Sequence, residues 1–253
     1  MSRKCQSRMR LDITPYDMPP GSGWEAHAHD DEALLSYARS GSCTQIISTR
    51  TWVVLPAHAV WMPPAVEHAT LVGPKGCDFR TVRFPCPIPD DLPSEPCVIE
   101  VSPLLAQLIA AWDATALEDD ARRDALRFLL YDEIRRAPQL DLGLPRVRDP
   151  RLLRVANALQ ADPGDTRGLD DFAAVAGMSR RSFIRHFQSE TGVGFADWRR
   201  RLRLLMARQL LAEAVSVTEV AGSLGYASPS AFIAMVRRDL GVTPTQLVKR
   251  ERG

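Results

Sequence analysis

One short pattern occurs twice in the last hundred residues, and it constrains the fold more than any other feature of the chain. Ala173 stands four residues before Gly177, then come Met178, Ser179 and a helix-period stretch with Phe183, Ile184 and, nine residues after Phe183, Gly192-Val193. Ala221 stands four residues before Gly225, then come Tyr226, Ser228 and a stretch with Phe232, Ile233 and, at the same nine-residue interval, Gly241-Val242. Two short helices cross steeply only where the first presents a small side chain and the turn accepts positive φ. Ala173 and Ala221 meet the first need, Gly177 and Gly225 the second. Ser179 and Ser228 suit the cap of the second helix, and Pro229 suits its first position. The spacing predicts a helix-turn-helix, twice.

At 253 residues the chain has room for about two domains, each with its own core. Net charge divides unevenly. Residues 150–253 hold 16 Lys+Arg against 10 Asp+Glu, or +6, leaving −5 for residues 1–149 within a total of +1. A basic half that also carries the repeats fits phosphate binding, though a solvated surface carries such charge too. Five cysteines (Cys5, Cys43, Cys77, Cys86 and Cys97) are an odd count without a CxxC pair. This argues for reduced thiols in a cytoplasmic protein rather than a disulfide framework or zinc finger. The start, MSRKCQSRMR, is basic but is followed by no apolar run, so no secretory signal and no membrane partner are expected.

Residues 10 to about 95 alternate turn residues with short β-type runs: Ala33–Tyr37, Thr44–Ile47, Trp52–Leu55, Ala59–Met62, Ala69–Val72 and Phe79–Phe84. A small β barrel or sandwich is the expected architecture. The segment Pro85–Pro96 ends it. From Ser102, a cap before Pro103, the pattern turns helical through Trp112 and again from Glu118 to Ala137, with Leu126, Leu129, Leu130 and Ile134 on one face. Two readings of that stripe stand open: packing on its own barrel, or a seam between two copies of the chain. A linker from Pro138 to Arg148 leads to Asp149-Pro150, a cap and first-turn proline for the next helix.

The C-terminal part then reads as helices Asp149–Ala161, Leu169–Ala176, Ser179–Glu190, Phe195–Glu213, Val217–Leu224 and Ser228–Leu240. In the long one, Trp198, Leu202, Leu205, Met206 and Leu210 are expected inward and Arg199, Arg200, Arg203 and Arg208 outward or partly so. About 18 residues at ~1.5 Å each span ~27 Å. That is close to the ~34 Å between successive major-groove faces of DNA. The stretches GMSRRSFIRHFQSETG, WRRRLRLLMARQLLAE and VTEVAGSLGYASPSAFIAMVRRDLGVTP closely resemble the AraC/XylS family of transcription regulators over residues 150–250. Val236 departs from the pattern, which usually has an aromatic there; the smaller side chain either loosens the second reader or is compensated by Met235.

Helix phase selects the groove-facing residues. Phe183 and Phe187 fall inward in the first reader, leaving Ser179, Arg181, Ser182, Arg185 and Gln188 outward. In the second, Phe232, Met235, Val236 and Leu240 fall inward, leaving Ser228, Ser230, Ala231, Ala234, Arg237 and Arg238 for DNA. A solvated or intrachain charge is the competing reading for each arginine.

Four of the five histidines (His27, His29, His58 and His68) lie in the β segment, and His27-Ala28-His29 has the period that puts both imidazoles on one strand face. Gly21, His27, His29 and Gly41, followed by Pro56, Pro63, Pro64 and His68, resemble the two cupin motifs. In metal-bearing cupins the matching histidines and a glutamate converge inside the barrel. Here Ala33 or Leu34 holds the glutamate position, and Glu32 falls one step early and on the wrong face of a regular strand. Three readings stay open: a divalent metal on His27, His29 and His68; an organic effector against those histidines with Trp24 and Trp61 as a stacking wall; or hydrogen-bonded core. Trp52 shares the ambiguity, and Glu67 reads as a surface charge.

The expected fold class is α+β in two domains: a cupin-like sensing barrel over 1–97, a helical hairpin and linker over 98–148, and an AraC-type double helix-turn-helix over 149–253. By resemblance the chain is a homodimeric, non-enzymatic regulator of DNA, with RNA polymerase as a further partner and no cofactor required apart from the metal alternative. The rival is a metal-dependent cupin enzyme fused to a DNA-binding module, and the missing glutamate counts against it.

Overall fold

The computed structural model of the chain describes residues 11–47, 50–56, 58–114, 120–140, 143–212 and 214–252. It divides into a sheet-rich unit over most of residues 11–141 and a helical unit over 142–250. Cys5, Glu118 and Glu213 lie outside the described residues.

In the first unit the strands are β1 Asp12–Met18, β2 Gly23–His27, β3 Glu32–Ile47, β4 Arg50–Val54, β5 His58–Met62, β6 His68–Pro85, β7 Cys97–Glu100 and β8 Gln139–Leu140. Strand pairing runs β1-β6-β3-β5-β7-β8, with β2 also on β6 and β4 on β3. The path does not return on itself, so the expected closed barrel is an open sheet in its pairings. Runs read separately at 33–37 and 44–47 are one strand, β3, and those at 69–72 and 79–84 are one strand, β6. The two face each other from Glu32↔Pro85 to Ile47↔His68, with bulges near Ser40 and Gly41 that bend rather than end them. Gly41 sits at φ +74°, and a Cβ there would lie 2.1 Å from the Gly76 carbonyl oxygen, so only glycine fits the bend.

Helices α1 (Pro103–Ala114) and α2 (Asp120–Arg136) cover one face of this sheet. Ser102 Oγ accepts the Leu105 N–H at 2.9 Å, the expected cap. Leu105, Leu108, Ile109 and Trp112 of α1 and Leu130 and Ile134 of α2 share one core with Leu35, Trp61, Phe84 and Ile99. Each fully buried side chain of this kind contributes about 1.5–3 kcal/mol. Most of the α2 stripe is thus spent on its own sheet, whereas Leu129 and the adjacent Phe128 stay exposed.

In the second unit α3 (Pro150–Ala161) starts as the sequence indicates: Asp149 Oδ1 accepts the Arg151 N–H at 2.8 Å and Pro150 takes the first turn. Leu144 and Val147 pack into this unit's core, and Trp198 donates its indole N–H to Pro145 O at 2.8 Å. Helices α4 (Leu169–Val175), α5 (Arg180–Thr191), α6 (Phe195–Ala212), α7 (Val217–Ser223), α8 (Pro229–Leu240) and α9 (Pro244–Arg252) follow. Two cores result. Phe195, Trp198 and Leu202 of α6 join the first with α3, α4 and α5, while Ala207 and Leu211 join the second with α7 and α8. The buried stripe of α6 therefore turns along its length. Arg208, expected outward, is consequently buried, and Leu205 and Leu210 are only half-buried.

Candidate nucleic-acid interface and sensing site

The two helix pairs are built alike. Ala173 and Ala221 are buried where each pair crosses, and Gly177 and Gly225 take φ +67° and +72° in the turns. Ser179 Oγ accepts the Ser182 N–H at 3.3 Å, and Ser228 Oγ accepts the Ala231 N–H at 3.2 Å. Both second helices end on a left-handed glycine, Gly192 and Gly241. A second-pair box joins Ser216 and Glu219, whose carboxyl the Ser216 hydroxyl and N–H hold below the usual carboxylate range.

Aromatic rings fix the inner face of α5: Phe183 lies 5.0 Å from Phe195 and Phe187 lies 5.6 Å from Trp198, centroid to centroid. The outer face presents Arg181, Arg185 and Gln188, with Ser182 half-buried. On α8, Phe232, Met235 and Val236 are buried in one core. Ser230, Ala231, Ala234, Arg237 and Arg238 are exposed. Among the described residues Arg181, Arg185 and Arg237 have no ion pair, whereas Arg238 meets Asp239 at 2.9 Å. Solvated guanidiniums on one helix face are free to meet phosphates or base edges. Arg199 and Arg203, by contrast, turn onto a loop: Arg199 donates to Arg167 O at 3.0 Å and Arg203 to Pro163 O at 2.9 Å.

In the sheet unit, His27 and His68 are register partners on β2 and β6. His29 lies beyond the end of β2, so a bend rather than the period of one strand brings it to the others. Ring centroids are 4.5 Å apart for His27–His68 and 5.1 Å for His27–His29, and one ligating nitrogen from each of the three lies within 4.8 Å of the others. His27 Nδ1 meets Glu25 O at 2.7 Å and His68 Nδ1 meets Val66 O at 3.0 Å. Carbonyls only accept, so in both rings Nδ1 carries a proton and donates it. His29 Nδ1 lies 3.1 Å from Glu32 Oε1, which also accepts from Arg83 at 2.7 Å. Burial lowers the pKa of His29 and His68, which favours the neutral form.

Glu32 thus stands against His29 despite its expected wrong face, because the backbone between His27 and Glu32 is not a strand and the alternation does not carry through. Arg83 and Glu32 were invisible as partners, since 51 residues separate them. Trp24 is half-buried and stacks edge-on to Tyr16 at 4.9 Å. Trp61 is fully buried, its indole N–H donated to Pro93 O at 2.8 Å, which makes it core rather than an open wall. Gln45 is fully buried, its Oε1 accepting from Thr70 at 3.2 Å while Nε2 has no hydrogen-bond partner among the described residues. Cys43 is pushed well above its ordinary pKa by its hydrogen bond to Cys77 and by burial, so it stays an unreactive thiol.

A sheet domain with three converging imidazoles, followed by a helical domain with paired capped helices, defines a two-domain regulator with separate ligand-binding and DNA-binding parts. Residues 13–131 match the AraC-like ligand binding domain and residues 172–250 match a helix-turn-helix domain. The chain is 32% identical over 226 residues to the HTH-type transcriptional regulator NimR of Escherichia coli, covering 88% of this chain and 82% of that protein. It is 36% identical over 110 residues to RipA of Corynebacterium glutamicum, covering 43% of this chain and 33% of that one. Among solved structures, the DNA-binding domain of AdpA in complex with a target DNA is 36% identical, covering 40% of this chain and 93% of that chain, with a TM-score of 0.38. The chain belongs to the AraC family of HTH-type transcriptional regulators, and double-stranded DNA is its partner. Among the described residues, no helix is long and apolar enough to cross a membrane.

Proposed function

We propose that the sheet unit senses a small molecule or a divalent metal ion at His27, His29 and His68, and that occupancy alters the grip of the helical unit on its operator. The carrying observation is that the Nδ1 atoms of all three rings face backbone carbonyls or a carboxylate while one nitrogen from each converges. Such outer partners orient metal-ligating histidines and fix their tautomers. A three-imidazole set suits a first-row divalent ion with an open position. A bound ion supplies a Lewis-acidic point for an effector's oxygen or nitrogen. Trp24 is the further group for an organic effector, and the full burial of Trp61 argues against the wall role.

The cupin-like sheet unit has no enzymatic activity, and the protein works as a cytoplasmic homodimer that also contacts RNA polymerase. Ser179, Arg181, Ser182, Arg185 and Gln188 meet DNA from α5, and Ser228, Ser230, Ala231, Ala234, Arg237 and Arg238 from α8. Support comes from the exposure of all but the half-buried Ser182 opposite the aromatic face, with Ser179 and Ser228 spending their hydroxyls mainly on capping.

Thermal shift with Zn²⁺, Co²⁺, Ni²⁺ and a panel of small organic compounds, followed by operator titration with and without the hit, tests the reading. A rise in midpoint is expected that His68→Ala removes. Operator affinity unchanged by every stabilising compound would leave the sheet unit without a sensing role. Turnover by the iron-loaded protein would favour the enzyme reading instead.

A further inference from the structure

The helical unit carries a cleft, open to solvent, of about 840 Å³, within the size range of small-molecule sites. Part of its wall is apolar, from Ile184 of α5, Phe195 of α6 and Met235 of α8. The rest is cationic, from Arg199, Arg200, Arg203 and Arg238. Two carboxylates answer these four guanidiniums: Asp197 and Asp239 each lie 3.0 Å from Arg200, and Asp239 also bonds Arg238. Arg199 and Arg203 spend their N–H groups on carbonyl oxygens, and the nearby Asp165 carboxylate is held by Arg167 at 2.6 Å. Arg199 Nε is buried with no hydrogen-bond partner among the described residues. Burial, and the charge of Arg203 beside it, lower the Arg199 pKa, a cost that a bound anion relieves.

The site therefore carries surplus positive charge against an apolar wall. A sugar–phosphate backbone answers the charge and leaves Ile184, Phe195 and Met235 facing polar atoms. Inorganic anions do the same. A molecule with one acidic head and a hydrocarbon or aromatic body answers both.

We propose that this cavity binds an amphipathic monoanion, head toward Arg199 and Arg203 and body against Ile184, Phe195 and Met235, and that the bound molecule excludes DNA from α8. The exclusion rests on the reading of Ala231, Ala234 and Arg238 as DNA-facing, since all three also line the cavity. Binding by itself does not depend on it.

Calorimetric titration of the full chain with 1-octanesulfonate, 1-octanesulfonamide and inorganic sulfate tests the site without DNA. The sulfonate is expected to bind at least tenfold more tightly than the neutral amide or sulfate. Ile184 is exposed, so Ile184→Glu keeps the fold and sets a negative charge at the apolar wall; it and Arg203→Gln are each expected to weaken the sulfonate at least tenfold. Equal binding of the three probes, or of the sulfonate to both variants and the parent, overturns the proposal. A second titration on random-sequence duplex at low salt reads exclusion: 1-octanesulfonate lowers duplex affinity of the parent but not of Ile184→Glu. If the sulfonate binds and duplex affinity does not fall, the exclusion is overturned and the anion site stands. If the duplex fails to bind even without the sulfonate, the DNA-facing assignment fails by itself.

Discussion

Gly164 and Gly225 touch backbone to backbone: a Cβ on Gly225 would lie 2.3 Å from the Gly164 carbonyl oxygen, and one on Gly164 would lie 2.5 Å from the Ser223 oxygen. The loop before α4, in the first helix pair, thus rests on the turn of the second. The corresponding Gly177 has no such neighbour; its Cβ would meet only the tip of Arg154, at 4.0 Å.

The two turn glycines should therefore respond unequally to alanine. Gly177→Ala meets left-handed strain alone, about 1–2 kcal/mol. Gly225→Ala adds a backbone overlap and should cost about 3 kcal/mol or more. Hydrogen exchange of α7 and α8 amides under urea measures the difference, and equal losses would refute the loop contact.

Arg185→Ala should relax base preference and cost about 1–3 kcal/mol on the matched operator, while Arg237→Ala should weaken matched and scrambled sites alike. Footprint titrations of both variants decide. A uniform loss for Arg185→Ala would assign that guanidinium to phosphate.

Asp149 caps α3 and pairs with Arg151 at 2.7 Å, and these bonds from Arg151 hold its carboxyl well below the usual carboxylate range. A depressed carboxyl stabilises the fold above its unfolded pKa of about 3.9 and loses that contribution only as pH falls through the lower folded value. Asp149→Ala should lower the melting temperature of the helical unit by the same amount at pH 7 and pH 5. Melting curves should converge only in stronger acid, and convergence already at pH 5 would contradict the assigned cap.

Phe128 is 68% exposed beside Leu129 on α2, and Leu104 on α1 is 50% exposed. If this apolar surface is the seam between subunits, Phe128→Ser should raise the dimer dissociation constant at least tenfold in sedimentation equilibrium and leave the monomer fold intact. A parent protein that stays monomeric at every concentration would dispose of the seam.

The helical unit was legible because its signals are local. Asp149-Pro150, the Ala–Gly interval and the Ser caps act within one or two turns and need no distant partner. Arg208 was misplaced because one helical phase was assumed for the whole of α6, whereas the helix serves two cores. In the sheet unit, β3 and β6 were each cut in two by glycines that bend them, and β1, with Pro15 and alternating polar residues, carried too little apolar pattern to be seen. The three histidines were identified from spacing, yet what orients them was not. Glu25, Val66 and Glu32 act through a backbone carbonyl, a backbone carbonyl and an irregular segment, none of which has a residue-type signature.

One unbroken helix, α6, lends its first half to one core and its second half to the other, so no joint separates the two readers. The sites it selects must keep both contacted stretches on the same side of the duplex. Inserting half a helical turn, about five base pairs, between them rotates the second stretch behind the axis, where this protein has no means of following it.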